Sequence, residues 1–400
     1  MKSTSAEYLT ASALPVTSVS GAITTNTTWS GVVELDGVVT VKNGATLTIQ
    51  PGTFIKAKPS TSNTATGVLV ITKTGKINAA GTEAQPIIFT SYKLLDGNED
   101  TTAAPGDFGG VIMLGDAPTN TPFTKTIEGL SGPDFYYGGT IASHNGGTLK
   151  YVRIEFAGFD LLAPNSGNEI NGLTLGGVGN GTTLDHIQVS FGKDDSFEFF
   201  GGTVNASNLV SFAADDDNFD FDNGYTGTIT CALALADYNS THSLSGSSPD
   251  SNGIELDNNA DGSSTSLLTH PVINNLTIIG TKNSTQGALY ENGIHIRRHG
   301  RLTLNNAVVT GYPVGIKVEG TGSELSSASA YSTIQIHGFN TSVTGTGTAG
   351  IPAANLLTGT PASLWGMSQP FFNEGGWNVS PRNCGNFQGL WTKYNFSIVQ

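Results

Sequence analysis

The sequence predicts an all-β chain wound as a parallel solenoid with projecting loops and a C-terminal capping segment, and three observations carry that prediction. The first is a repeat. Asp194-Asp195-Ser196-Phe197-Glu198-Phe199 and Asp216-Asp217-Asn218-Phe219-Asp220-Phe221 echo one another at a spacing of 22 residues. Each continues as a phenylalanine/acid alternation, the period of a strand with its rings on one side and its acids on the other. That spacing is close to one coil of a β-solenoid, which would stack the two strands roughly 4.8 Å apart. The second observation is composition: 12% of the 400 residues are charged and 37% are hydrophobic, with Gly, Thr, Ser and Asn abundant. Such a mixture suits β-walls broken by tight turns, and it lacks the high charge and low hydrophobicity of disorder. The third is a recurring strand phrase. Asn171-Gly172-Leu173-Thr174-Leu175, Asn252-Gly253-Ile254-Glu255-Leu256 and Asn292-Gly293-Ile294-His295-Ile296 share it, and Val314-Gly315-Ile316-Lys317-Val318 is a looser copy.

The elements follow in order. Residues 1–25 are Ser/Thr/Ala-rich and weakly patterned, and read as a leader or N-terminal cap, with regular structure starting near Trp29. The β-helix is expected over 26–320, and C-terminal coils with an aromatic-rich cap over 321–400. Short strands are predicted at 38–41 and 45–49, with Asn43-Gly44 turning between them and Pro51-Gly52 turning the chain again. Further strands are expected at 68–71, 87–89 and 111–114, while the polar stretches 95–105 and 117–137 read as projecting loops. Superposing the later phrases leaves an outward column of Thr174, Glu198, Asp220, Glu255, His295 and Lys317. A second column, two residues on, holds Asp222, Asp257, Arg297 and Glu319. The Ser/Asn-rich insertion 237–251 should overhang this face, where a rigid scaffold places its binding loops. The tail carries Trp365, Phe371, Phe372, Trp377, Trp391 and Tyr394, expected either to seal the open solenoid end or to form a carbohydrate-stacking platform.

Charge narrows the function. A net charge of −14 argues against nucleic acid, whose binding is dominated by Lys and Arg on phosphate, and is compatible with divalent cations. Stacked carboxylates repel unless a cation neutralises them, so the repeat predicts a Ca2+ site. Its ligands would be Asp194, Asp195, Asp216, Asp217 and Asp220, with Glu198, Asp222, Glu255 and Asp257 as possible further acids. Two cysteines are too few and too separated for a disulfide framework or a zinc site. Cys231, in the apolar run Cys231-Ala232-Leu233-Ala234-Leu235, reads as a buried core thiol. No stretch approaches 18 consecutive apolar residues, so no membrane span is expected, and no signal peptide is visible. The glycine-rich run 176–181 reads as a turn between coils, since no phosphate-binding helix pattern follows it.

Two resemblances add to this reading. The run Ser211-Phe212-Ala213-Ala214-Asp215-Asp216-Asp217-Asn218-Phe219-Asp220-Phe221 resembles the calcium-site coil of family 9 polysaccharide lyases, right-handed parallel β-helices that cleave pectate-type polymers by β-elimination. The resemblance implies calcium held by Asp216, Asp217 and Asp220 together with Asp194 or Asp195 from the preceding coil. That family's base is a lysine on a neighbouring coil, and Glu255 stands where it would be expected. His295, Arg297, Arg298 and Lys317 lie a coil or two further on, and His295, Arg297 and Lys317 are the catalytic candidates. The phrases Leu47-Thr48-Ile49-Gln50-Pro51-Gly52-Thr53, Pro105-Gly106-Asp107-Phe108-Gly109-Gly110-Val111 and Tyr151-Val152-Arg153-Ile154-Glu155-Phe156-Ala157-Gly158 look like a family of secreted bacterial β-helix proteins of mostly unassigned activity. This likeness implies a secreted or cell-surface location.

The expectation is therefore a secreted or cell-surface calcium-binding β-helix, non-catalytic, serving glycan binding, adhesion or surface assembly. One alternative is a calcium-dependent lyase acting on uronate-containing polymers. Another is a structural fibre subunit that self-assembles.

Overall fold

A computed structural model of the chain describes residues 1–3, 5–59, 67–159, 170–237, 239–240, 243–245, 247–328, 331–360, 382–385, 387 and 389–397. Within them the chain winds as a right-handed parallel β-helix, its strands joined in one 23-stranded sheet. Most coils supply three strand segments. One column runs through Val68–Ile71, Gly110–Leu114, Leu173–Gly176, Phe197–Phe200, Phe219–Asp222, Ile254–Leu256 and Asn292–Ile296. The other two columns are the two halves of long bent strands such as Gly147–Glu155, Thr183–Ser190, Ala206–Phe212, Thr228–Leu235 and Val272–Ile279.

The bend has a local cause. Tyr151, His186, Asn208, Cys231, Asn275 and Asn306 all have left-handed backbone, with φ between 51° and 64°. The pairing register places them one above the other at the same corner of successive coils. Asparagine tolerates that conformation best, which accounts for three of the six positions.

Inward positions form apolar ladders along a continuous core. Phe197 stacks on Phe219 with ring centroids 5.1 Å apart, and Phe199 lies 5.0 Å from Phe221. Burying such side chains stabilises by roughly 1.5–3 kcal/mol each, and the ring pairs add roughly 0.5–1.5 kcal/mol. The segments 95–105 and 117–137 leave the coil as loops, the second carrying a 3-10 turn at Pro133–Phe135. No helix among the described residues is long and apolar enough to cross a membrane.

Three expectations change. Regular structure begins before Trp29: a helix spans Glu7–Ser12 and a strand Val16–Ile23 pairs in parallel with Val32–Val41. Most of that strand is exposed because it pairs on one side only, so it lacks the apolar alternation by which strands are recognised. Cys231 is not a free thiol but is bonded to Cys384 across 153 residues. A solenoid whose tail folds back over its own flank brings distant cysteines together at separations that no local spacing rule anticipates. The tail itself does not seal the solenoid end where it is described. Trp391 packs on Tyr151 and His186, and Tyr394 on Phe212, along the flank of the coils. Trp365, Phe371, Phe372 and Trp377 lie outside the described residues.

Candidate metal centre

The strand Phe197–Phe200 lies under Phe219–Asp222, with Glu198 opposite Asp220. The register continues as Thr174, Glu198, Asp220, Glu255, His295 and Lys317, so the outward column expected from alternation is present in that order. The loops entering these strands carry Asp194 and Asp195 on one coil and Asp216 and Asp217 on the next. Ligand oxygens of Asp194, Asp195 and Asp216 lie within 4.8 Å of one another, and so do those of Asp195, Asp217 and Asp220. Asp195 belongs to both sets.

Backbone donors hold these acids in place. The Asp217 N–H donates to Asp195 Oδ1 at 2.9 Å, and the Asn252 N–H donates to Asp217 Oδ1 at 2.5 Å. Asp220 Oδ1 is shielded from solvent and has no hydrogen-bond partner. Burial first, then repulsion from the neighbouring acids, holds Asp195, Asp217 and Asp220 well above the usual carboxylate range. Burial likewise raises Asp216 to about 7, with Asp250 adding to the effect. Hard carboxylate oxygens from two coils, one of them orphaned, fit calcium, which takes about six to eight oxygens at roughly 2.3–2.6 Å.

The other sequence candidates are placed differently. Glu198 is buried and receives the Asn171 side-chain amide. Asp222, raised by burial to about 6, accepts the N–H of Asn223 at 2.6 Å. Glu255 and Asp257 are both bound by Arg297, whose Nε donates to Asp257 Oδ1 at 2.9 Å, and Arg298 adds a second bond to Asp257 at 2.5 Å. His295 is 2% exposed and its Nε2 lies 2.8 Å from Glu319 Oε2. Lys317 reaches the same carboxylate at 2.8 Å, and Glu291 at 3.7 Å. Burial pushes the His295 imidazole down from its ordinary value.

Loops wall the face on both sides. From 117–137, Lys125 acts on Asp222, and Glu128 and Tyr137 lie beside Glu198. From 237–251, the Ser243 N–H donates to the Asp215 carbonyl at 2.7 Å, and Asp250 bears on Asp216 and Glu255. The described part of the insertion therefore lies against the acidic end.

Residues 21–359 match the family described as the pectate-lyase-like beta helix domain. The chain belongs to that family. No curated protein matches it. Among solved structures, the catalytic domain of a GH87 alpha-1,3-glucanase in complex with tetrasaccharides aligns over 87% of this chain at 11% identity, with a TM-score of 0.26. The chain spans 64% of that glucanase chain.

In this pectate-lyase-like β-helix, alternation and spacing did not assign a role to the asparagines. Asn171 holds Glu198, Asn252 caps Asp217 through its backbone, and the Asn252 side chain accepts from Asn292 at 2.9 Å. Their signal was present, since each opens the Asn-Gly phrase that recurs from coil to coil.

Proposed function

We propose that this chain is a secreted or cell-surface calcium-binding β-helix whose acidic cleft docks a glycan or a neighbouring surface component without breaking bonds in it. One observation carries the non-catalytic reading. Each candidate base is held by a carboxylate: Arg297 by Glu255 and Asp257, and His295 and Lys317 by Glu319. Elimination from a uronate needs a base free to take the proton beside the carboxyl group. Arg297 and Lys317 are cations held by carboxylates, and His295, at 2% exposed, is shut away from a substrate, so all three are poorly placed to do so. Glu255 in the position of the lysine points the same way, because a carboxyl group bound by Arg297 does not supply the base that a lysine would. The five clustered aspartates support calcium through their hard oxygens and their mutual repulsion. The Cys231–Cys384 bond supports an oxidising, extracytoplasmic location, where disulfides persist.

The test is ultraviolet absorbance of unsaturated uronate product during incubation with a panel of uronate polymers, in calcium and in chelator. A flat trace is expected in both, with calcium-dependent retention on an immobilised glycan panel. Calcium-dependent growth of the absorbance would overturn the non-catalytic reading and establish a lyase.

A further inference from the structure

The described tail residues, 382–385, 387 and 389–397, run back along the flank of the β-helix towards its N-terminal end, following the left-handed corner column. The Arg382 N–H donates to Thr277 Oγ1 at 2.9 Å and its Nε to Asn306 Oδ1 at 2.8 Å, with a further bond to Gln335. Cys384 is bonded to Cys231 at the same corner. Trp391 then lies 4.9 Å from the His186 ring, and Gln188 exchanges hydrogen bonds of 2.6 and 2.9 Å with the backbone of Lys393. Finally Phe396 packs between Phe156 and Phe191, and Phe396–Ser397 pairs with Lys2–Ser3.

This strap packs on the outer flank of the solenoid and not in its inner core. Its aromatics Phe387, Trp391, Tyr394 and Phe396 belong to a side cluster with Tyr8, Phe212 and Leu233, and among the described residues none of the strap lies in the continuous inner core. Elements outside the main core open locally while the rest stays folded. Among the described residues the strap pairs as a strand only with the N-terminal Lys2–Ser3, and the bond to Cys231 is its covalent link to the coils, beside hydrogen bonds and ring contacts.

We propose that the C-terminal strap is a thiol-releasable clasp: the Cys231–Cys384 bond keeps it closed over the flank, and reduction opens it while the β-helix remains intact. Cys384 is the more exposed residue of the pair, half-buried where Cys231 is 8% exposed. The thiolate of a dithiol reductant attacks Cys384 Sγ, and Cys231 leaves as a thiolate. The second thiol of the reductant then attacks the mixed disulfide and releases Cys384, so the protein gains two electrons and the dithiol becomes a disulfide. Opening uncovers an apolar flank built from Val210, Phe212, Leu233, Phe156 and Phe191.

Trypsin reads the state of the clasp, because Arg382 and Lys393 are both held against the coils when it is closed. The full chain is digested in calcium with and without dithiothreitol, digestion is quenched, and every sample is then fully reduced. Release of peptide 383–393 from the backbone is quantified by mass spectrometry, so that cleavage after Arg382 and Lys393 is read whether or not Cys384 was still bonded to Cys231. Cleavage after the exposed Lys125 calibrates the protease. Release of the peptide is expected to be about thirtyfold faster after reduction, the lower end of what such a cross-link contributes. The far-ultraviolet β-sheet signal and the calcium-induced shift in melting temperature should be unchanged. Cys384→Ser should behave as the reduced protein does, without reductant. Equal release in both states, or loss of the β-sheet signal on reduction, would overturn the proposal.

Discussion

Asp217 shows how backbone and charge are combined in one residue. One oxygen accepts the Asn252 N–H, and the carboxylate also stands among Asp195, Asp216, Asp220 and Glu255. Asp217→Asn keeps the acceptor and removes the charge, so it separates folding from metal binding. In chelator its melting temperature should equal or exceed that of the native chain, since one repulsive charge is gone. In calcium the stabilisation should shrink. A site saturated a hundredfold above Kd contributes about 2.7 kcal/mol, and most of that should disappear. Differential scanning calorimetry in calcium and in chelator checks both halves; an undiminished calcium shift would count against the site. Proton linkage gives a second test. The raised values, about 6 for Asp222, about 7 for Asp216 and about 8 for Glu255, mean that the folded chain holds more protons than the unfolded one above about pH 4. Without a cation, the stability these three groups contribute is therefore fullest below about pH 4 and is lost as pH rises to about 8. Bound calcium requires ionised ligands, so its contribution grows over the same interval. Melting curves in chelator that stayed level between about pH 5 and 8 would contradict this.

At the scale of one strand, period-two alternation does two jobs. In Phe219–Asp222 it sends Phe219 and Phe221 into the core and Asp220 and Asp222 to the cleft. A slip of one residue would exchange the faces and place carboxylates against Phe197, so register is strongly specified here. The ring stack links core to site, because Phe219 lies next to Asp220 and two residues after Asp217 in sequence. Phe219→Ala should cost about 3–5 kcal/mol of unfolding free energy by leaving a cavity above Phe197. It should also weaken calcium binding by loosening the strand that presents Asp220. Urea denaturation with calcium titration of the same variant measures the two effects together.

Over the whole molecule, Arg153 ties the two ends of the chain to the middle. It is 1% exposed, and its guanidinium donates to Glu155 at 2.9 Å, to Glu7 of the N-terminal helix at 2.7 Å and to the carbonyl of Leu390 at 2.9 Å. Tyr8 and Lys393 join the same network through Glu155 and Glu7. Arg153→Met removes the cation and leaves Glu155 buried without it, a loss of about 3–5 kcal/mol for a buried pair broken on one side. Hydrogen exchange should then quicken in Glu7–Ser12 and in the strap while the inner strands stay protected. Uniform quickening across all strands would show that the ends are not a separate unit.

The local repeat was enough to determine the solenoid, its strand faces and the order of the column from Thr174 to Lys317. Each coil pairs with the next in register, so a period of two along the strand and a period near one coil along the chain suffice to place those side chains. The clustering of the aspartates follows from the same arithmetic. Tertiary structure alone decided which partners those side chains took. That Arg297 is held by Glu255 and Asp257, that Glu319 binds both His295 and Lys317, and that Cys231 meets Cys384 all depend on rotamers and on the path of a tail that returns across many coils. The exposed strand Val16–Ile23 escaped notice for a related reason: its pairing is one-sided, so burial imposes no pattern on its residues. Periodicity records what repeats between neighbouring coils, and these contacts do not repeat.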